Sequence, residues 1–191
     1  MDECSCCGSA AEALARRQRG TLWIVLAINA AMFAVILSAA FYARSSALLS
    51  DSLDNLGDAL TYAISLYAAT RSRTAKARTA LFKGFLIFAA GCVVASQIAY
   101  RLLHPSVPVF EAMGAFSLLG LFANGLCLFF LARHRTEDVN MSSVWECSRN
   151  DIVGNLSVFA AAGAVWATGA GWPDIAVAGG LVLFLLRSAH R

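Results

Sequence analysis

The sequence predicts an all-α membrane protein of six transmembrane helices with both termini in the cytoplasm. Three observations lead there. The chain of 191 residues is 59% hydrophobic and only 14% charged, with a mean hydropathy of +0.64, whereas soluble domains are about 45–50% apolar and ~25% charged. Its apolar residues fall into runs of spanning length. Its basic residues fall between those runs. Disorder is excluded, because so apolar a chain does not stay solvated, and three Pro with fourteen Gly exclude a Pro/Gly-rich fibre.

Taken in order, the first run is Leu22 to Tyr42, the second Ala47 to Ala69 and the third Leu81 to Tyr100. The fourth is Ala112 to Ala132, and the fifth begins polar near Val144 and continues to Ala167. Each approaches the ~20 residues that a bilayer demands. The sixth, Trp172 to Leu186, covers only about 22 Å at ~1.5 Å per residue, so it borrows length from its flanks or thins the bilayer. The segment from Arg133 to Ser143 reads as a loop. Six spans divide the chain into a cytoplasmic tail over residues 1–20, a transmembrane domain over 21–188 and a cytoplasmic end at 189–191.

Orientation follows from the basic residues. Arg16, Arg17 and Arg19 precede the first span, and Arg71, Arg73, Lys76 and Arg78 follow the second. Arg133 and Arg135 follow the fourth, and Arg187 and Arg191 follow the sixth. The opposite side offers Arg44 and Arg101 alone. The positive-inside rule places the rich side in the cytoplasm. The first run is too long for a cleaved signal peptide and lacks an A-x-A-like exit.

The acidic residues carry the functional information. Of twelve, Asp51, Asp54, Asp58 and Asp151 lie within or at the edge of spans. A carboxylate at a helix centre costs ~2.5–3.5 kcal/mol on the insertion scale. Arg149 is the one nearby cation, so a bound cation, protons or both must supply the missing positive charge. Asp51, Asp54 and Asp58 stand at i, i+3 and i+7 and share a helix face; Gly57 between them leaves room for a neighbouring helix. In the fifth span Cys147 and Asp151 stand at i and i+4, with Asn155 one turn further. Two such pairs can close a four-coordinate site, the number Zn²⁺ prefers, with thiolate and carboxylate both acceptable donors. The plain alternatives are polar pairing or a water cavity for the carboxylates, helix capping for Asp51, and simple packing for Cys147.

Those stretches resemble a known family. DSLDNLGDALTYAISLYA, from Asp51 to Ala68, is similar to the second helix of the cation diffusion facilitator metal transporters. Its signature there is His or Asp, three residues, then Asp, with Asp or Asn three residues earlier; Asp54 and Asp58 fall on the pair and Asp51 on the earlier position. WECSRNDIVGNLSV, from Trp145 to Val158, is similar to the fifth helix, where His-x-x-x-Asp is usual. Asp151 falls on the Asp, Cys147 on the His, and Asn155 on a later polar position. Asn29 and Asp174 match further polar positions.

The resemblance implies a metal efflux transporter, not an enzyme, with Asp54, Asp58, Cys147 and Asp151 as ligands. The metal, Zn²⁺ and/or Cd²⁺, is the transported substrate and no cofactor is implied. Thiolate in place of imidazole tilts selectivity towards those two ions and away from Mn²⁺ or Mg²⁺. Proton-coupled antiport by alternating access is the implied mechanism, because protons and metal compete for the same ligands. The family usually continues into a cytoplasmic ferredoxin-like domain, and this sequence stops at Arg191, which reads as a short form. A homodimer would then be held through transmembrane helices, with small residues of the third span (Ala89, Ala90, Gly91) or the sixth (Ala176, Ala178, Gly179, Gly180) as the surfaces.

The expected partners are metal ions, protons, lipid and a second copy, with no nucleic acid, and the expected location is the bacterial inner (plasma) membrane. Cys4, Cys6 and Cys7 on the tail suit capture of a soft cation, or are incidental; Cys92 and Cys127 read as packing residues. His104, His134 and His190 read as solvated. The alternatives from other classes are a membrane thiol oxidoreductase and a non-transporting assembly subunit. Neither explains Asp54 and Asp58.

Overall fold

The computed structural model describes the backbone of residues 3–68, 73–132 and 139–189, and the side chains of 19–66, 81–82, 84–132 and 148–183. Six helices follow one another: α1 (Glu3–Ala43), α2 (Ser46–Ala68), α3 (Arg73–Leu103), α4 (Phe110–Ala132), α5 (Val139–Thr168) and α6 (Trp172–Ala189). No strand occurs among the described residues. Four helices carry stretches long and apolar enough to cross a membrane: Arg19–Ala43, Gly84–Leu103, Phe110–Ala132 and Ser148–Thr168. Trp172–Leu183 is a shorter apolar stretch. The helix that fails on composition is α2, and Asp51, Asp54 and Asp58 are the reason.

Two boundaries differ from expectation. The 41 residues of α1 extend about 60 Å at 1.5 Å each, twice the ~30 Å hydrocarbon core, so the helix runs back through the tail that carries the cysteines. Residues 139–143, read from sequence as loop, already belong to α5. Polar residues are carried there by a helix already nucleated in the adjoining span, because propagation costs far less than initiation. The side chains of Cys4, Cys6, Cys7, His134, Cys147 and His190, and most of the basic residues that set the orientation, lie outside the described residues.

The packing places α2 at the centre, against α1, α3, α5 and α6. The helix α4 packs on α1 and α5, and α3 packs on α6. Phe41, Phe85, Phe122, Phe129 and Leu183 point outward, whereas Asn29, Asp51, Asn124, Asp151 and Asn155 are buried. A bundle with Phe outside and carboxylates inside is arranged for lipid, where polar groups face the interior.

The three short connections gather at one end of the bundle. Arg44 there has φ 52° and turns the chain from α1 into α2. Ser45 caps α2, its Oγ accepting Leu48 N at 3.0 Å. Asp174, in the first turn of α6, accepts Ser46 N at 2.7 Å, Ala47 N at 3.0 Å and the Ser45 hydroxyl at 2.6 Å. The first amides of a helix have no partner within it, and here one carboxylate from another helix takes two of them. Arg101 of α3 is buried and donates to Arg44 O and Ser106 Oγ, while Val109 N donates to Ala43 O at 2.9 Å. At the same end Gly169, at φ 61°, stops α5 in the left-handed conformation that glycine adopts without strain.

Candidate metal centre

The acids of α2 do not share one environment. At about 100° per residue, Asp51 and Asp58 lie within ~20° of each other around the helix, while Asp54 is rotated by ~40–60°. Asp51 and Asp58 are accordingly buried and Asp54 is half-buried. Asp54 borders a crevice of about 370 Å³ between α2, α5 and α6, lined also by Asn150, Gly154, Ser157, Val177 and Leu181. Asp54 still lies within electrostatic reach of Asp58 and Asp51.

Asp58 turns the other way, into the bundle. It is 8% exposed and its Oδ2 accepts the Tyr62 hydroxyl at 3.0 Å. Tyr62 Oη also lies 3.2 Å from Ser148 Oγ on α5. Asp151, 9% exposed, acts electrostatically on the same tyrosine. One carboxylate from α2 thus bonds a buried hydroxyl that also lies within electrostatic reach of a carboxylate from α5. The packing of α2 on α5 sets the two acidic helices side by side, whereas Cys147 falls outside the described side chains. Among the described residues no three His, Cys, Asp or Glu side chains already stand at metal-binding distance.

Asp51 is not the cap of α2, since Ser45 and Asp174 hold that role. Its Oδ2 is buried without a hydrogen-bond partner, as are Asn29 Oδ1, Asn124 Oδ1 and Asn155 Oδ1. These four oxygens come from α2, α1, α4 and α5. Asn155 Nδ2 donates to Asp151 O at 2.9 Å, and a Cβ on Gly120 of α4 would collide with Asn155 Oδ1. Asn29 Nδ2 donates to Val25 O at 2.9 Å and lies 3.7 Å from Cys127 Sγ, so Cys127 is a buried neighbour of the polar interior. Cys92 is exposed. Gly57 meets Ile87 of α3 at ordinary contact distance, 3.8 Å from where its Cβ would stand; it eases an approach that Ala would also permit. His104 is exposed and stacks on Tyr100.

Sequence reading missed Tyr62, Ser148, Asn150 and Gly120. For the first two a signal existed: Tyr62 is i+4 from Asp58 and Ser148 is i−3 from Asp151, so each shares a carboxylate's face. Nothing in the sequence marked Gly120, whose need is set by a side chain on another helix.

A helical bundle with a lipid-facing apolar shell and carboxylates buried on two facing helices is a polytopic membrane protein with an ionisable interior. The particular family is set by its sequence: residues 22–191 match the cation efflux transmembrane domain, and the chain belongs to that family. It is 28% identical over 172 residues to the metal cation efflux system protein CzcD of Cupriavidus metallidurans (strain CH34), covering 83% of this chain and 54% of that protein. The cation efflux system protein CzcD of Alcaligenes sp. (strain CT14) matches to the same extent. The chain thus spans about half the length of the curated relatives it matches.

Proposed function

We propose that this chain exports divalent transition-metal cations, Zn²⁺ and/or Cd²⁺, from the cytoplasm in exchange for protons by alternating access. The observation that carries the reading is the pair Asp58 and Asp151, buried on two facing helices, the first bonded to Tyr62 and the second within electrostatic reach of it. Carboxylates at membrane depth face the bundle interior and mark ion pathways, and a divalent cation is a visitor that such a pair suits. Asp54 and Cys147, one turn from each, complete a four-donor set of the size Zn²⁺ takes. The curated relatives are named for cation efflux, one of them for metal cation efflux, which supports the same direction of transport.

In this reading metal entering from the basic end exchanges water for Asp54, Asp58, Cys147 and Asp151. Four anionic donors around one divalent ion leave a formal −2, so the metal is held firmly at neutral pH. On the outer side protons compete for the same donors and release it. The carboxylates titrate together, as one coupled group.

Uptake of Zn²⁺, Cd²⁺, Co²⁺, Mn²⁺ and Fe²⁺ into proteoliposomes with an imposed pH gradient tests this. Zn²⁺ and Cd²⁺ are expected to move with a counterflow of protons, and Asp58→Ala or Asp151→Ala to abolish both fluxes in a protein that still inserts. Near-normal flux in either variant would return these carboxylates to a structural role.

A further inference from the structure

Tyr62 is fully buried, and so is Ser148. A phenolic hydroxyl has one proton and two lone pairs. With that proton given to Asp58 Oδ2 at 3.0 Å, the 3.2 Å contact to Ser148 is made by the serine donating to the tyrosine. The result is a directional chain, Ser148 to Tyr62 to Asp58, that crosses from α5 to α2 and ends on a carboxylate.

Its place along the bundle follows from helix direction. From its capped outer end α2 runs towards the basic end, so Tyr62 lies about 6 Å beyond Asp58 on that side. The helix α5 runs the opposite way, so Ser148 lies about 4.5 Å from Asp151 on the same side. The tyrosine ring is set in an apolar layer of Leu22 and Val25 from α1, Leu66 from α2, and Cys127 and Leu131 from α4. That layer lies between the carboxylates and the basic end, and within it the Tyr62–Ser148 contact is a hydrogen bond that joins α2 to α5.

We propose that Tyr62 and Ser148 form the basic-end gate of the site, a hydroxyl latch that must part before a cation reaches Asp58 and Asp151 from that side. Tyr62 is a positioning residue as well, since the same hydroxyl orients Asp58. The latch reports on the site it closes: a cation that draws Asp58 away from Tyr62 also removes the acceptor that aligns Tyr62 towards Ser148. Its role as a transport gate rests on the proposed export function, but the closure itself is measured without transport.

The test is sided labelling of the full chain in oriented vesicles with a water-soluble carbodiimide and an amine tag, read at Asp58 and Asp151 by mass spectrometry. Tyr62→Phe keeps the ring in its apolar layer and removes the hydroxyl; Ser148→Ala removes the other half. Each variant is expected to raise labelling from the basic end by about five-fold, the population shift of one net hydrogen bond, and to leave labelling from the outer end unchanged. The double variant should add nothing, because both act on one bond. Labelling that stays at the wild-type level, rises equally from both faces, or doubles its gain in the double variant overturns the latch. Metal uptake measured in parallel separates the two claims. A five-fold, one-sided gain without wild-type metal flux keeps the latch and removes the export function; normal flux without the gain does the reverse.

Discussion

Asp54 and Asp58 are one turn apart on one helix, yet one borders a crevice between α5 and α6 and the other is tied to a tyrosine inside the bundle. In the proposed function a cation that must be both admitted and retained is served by that division: Asp54, on the crevice, meets the incoming ion before the set with Asp58 and Asp151 closes around it. In the proposed set the Cys147 thiolate is the one soft donor, so it is the residue on which a choice between metals would turn. Cys147→Ser keeps the size and removes the sulfur. Cd²⁺ should then lose more affinity than Zn²⁺, which accepts oxygen and nitrogen donors well, and the loss should be at least ~10-fold, equal to ~1.4 kcal/mol. Titration of the purified protein with both ions checks this. An unchanged affinity ratio would make the thiol a packing group and leave Asp51, Asn155 or water to complete the site.

At the scale of elements, α2 is the helix least suited to a membrane by composition and the one with most neighbours. Its carboxylates are tolerated because α1, α3, α5 and α6 surround it, and its outer end is secured by a residue from α6. Replacing Asp174 by Ala strips the acceptor from Ser46 N, Ala47 N and the Ser45 hydroxyl at once. Lost caps cost ~0.5–2 kcal/mol and buried donors left unpaired ~1–3 kcal/mol, so a destabilisation of about 3 kcal/mol is expected. Asp174→Asn keeps one acceptor oxygen and should lose less. Thermal unfolding in detergent should show the order wild type, Asn, Ala; coincident curves would show that α2 is held elsewhere.

For the whole molecule, the packing of α3 on α6 changes which surfaces remain for a partner. Gly91 and Ala178 are buried within the bundle, whereas Ala176 and Gly180 stay exposed on α6. Contacts between copies in lipid depend on small residues and van der Waals packing, so a homodimer should form along the Ala176–Gly180 face. Single cysteines at those two positions should cross-link between copies, and cysteines at Leu118 or Phe129 on α4, also exposed, should not. A chain that is monomeric in lipid and still moves metal would refute the dimer.

Helix number, membrane class and the two acidic helices were legible in the sequence, because hydropathy runs and i, i+4 spacing are local properties of a chain in lipid. Asp54, Asp58 and Asp151 stood out for the same reason: a carboxylate among apolar neighbours is conspicuous without any fold. What surrounds each acid was settled by tertiary structure alone. The cap on α2 comes from a residue about 128 positions away, the glycine that admits Asn155 sits on α4, and the hydroxyl joining Asp58 to α5 belongs to a tyrosine that reads in sequence as part of an apolar run. Helix periodicity says which residues share a face, but the partner of that face depends on how six helices cross, and crossing is decided by packing between segments that the sequence keeps far apart.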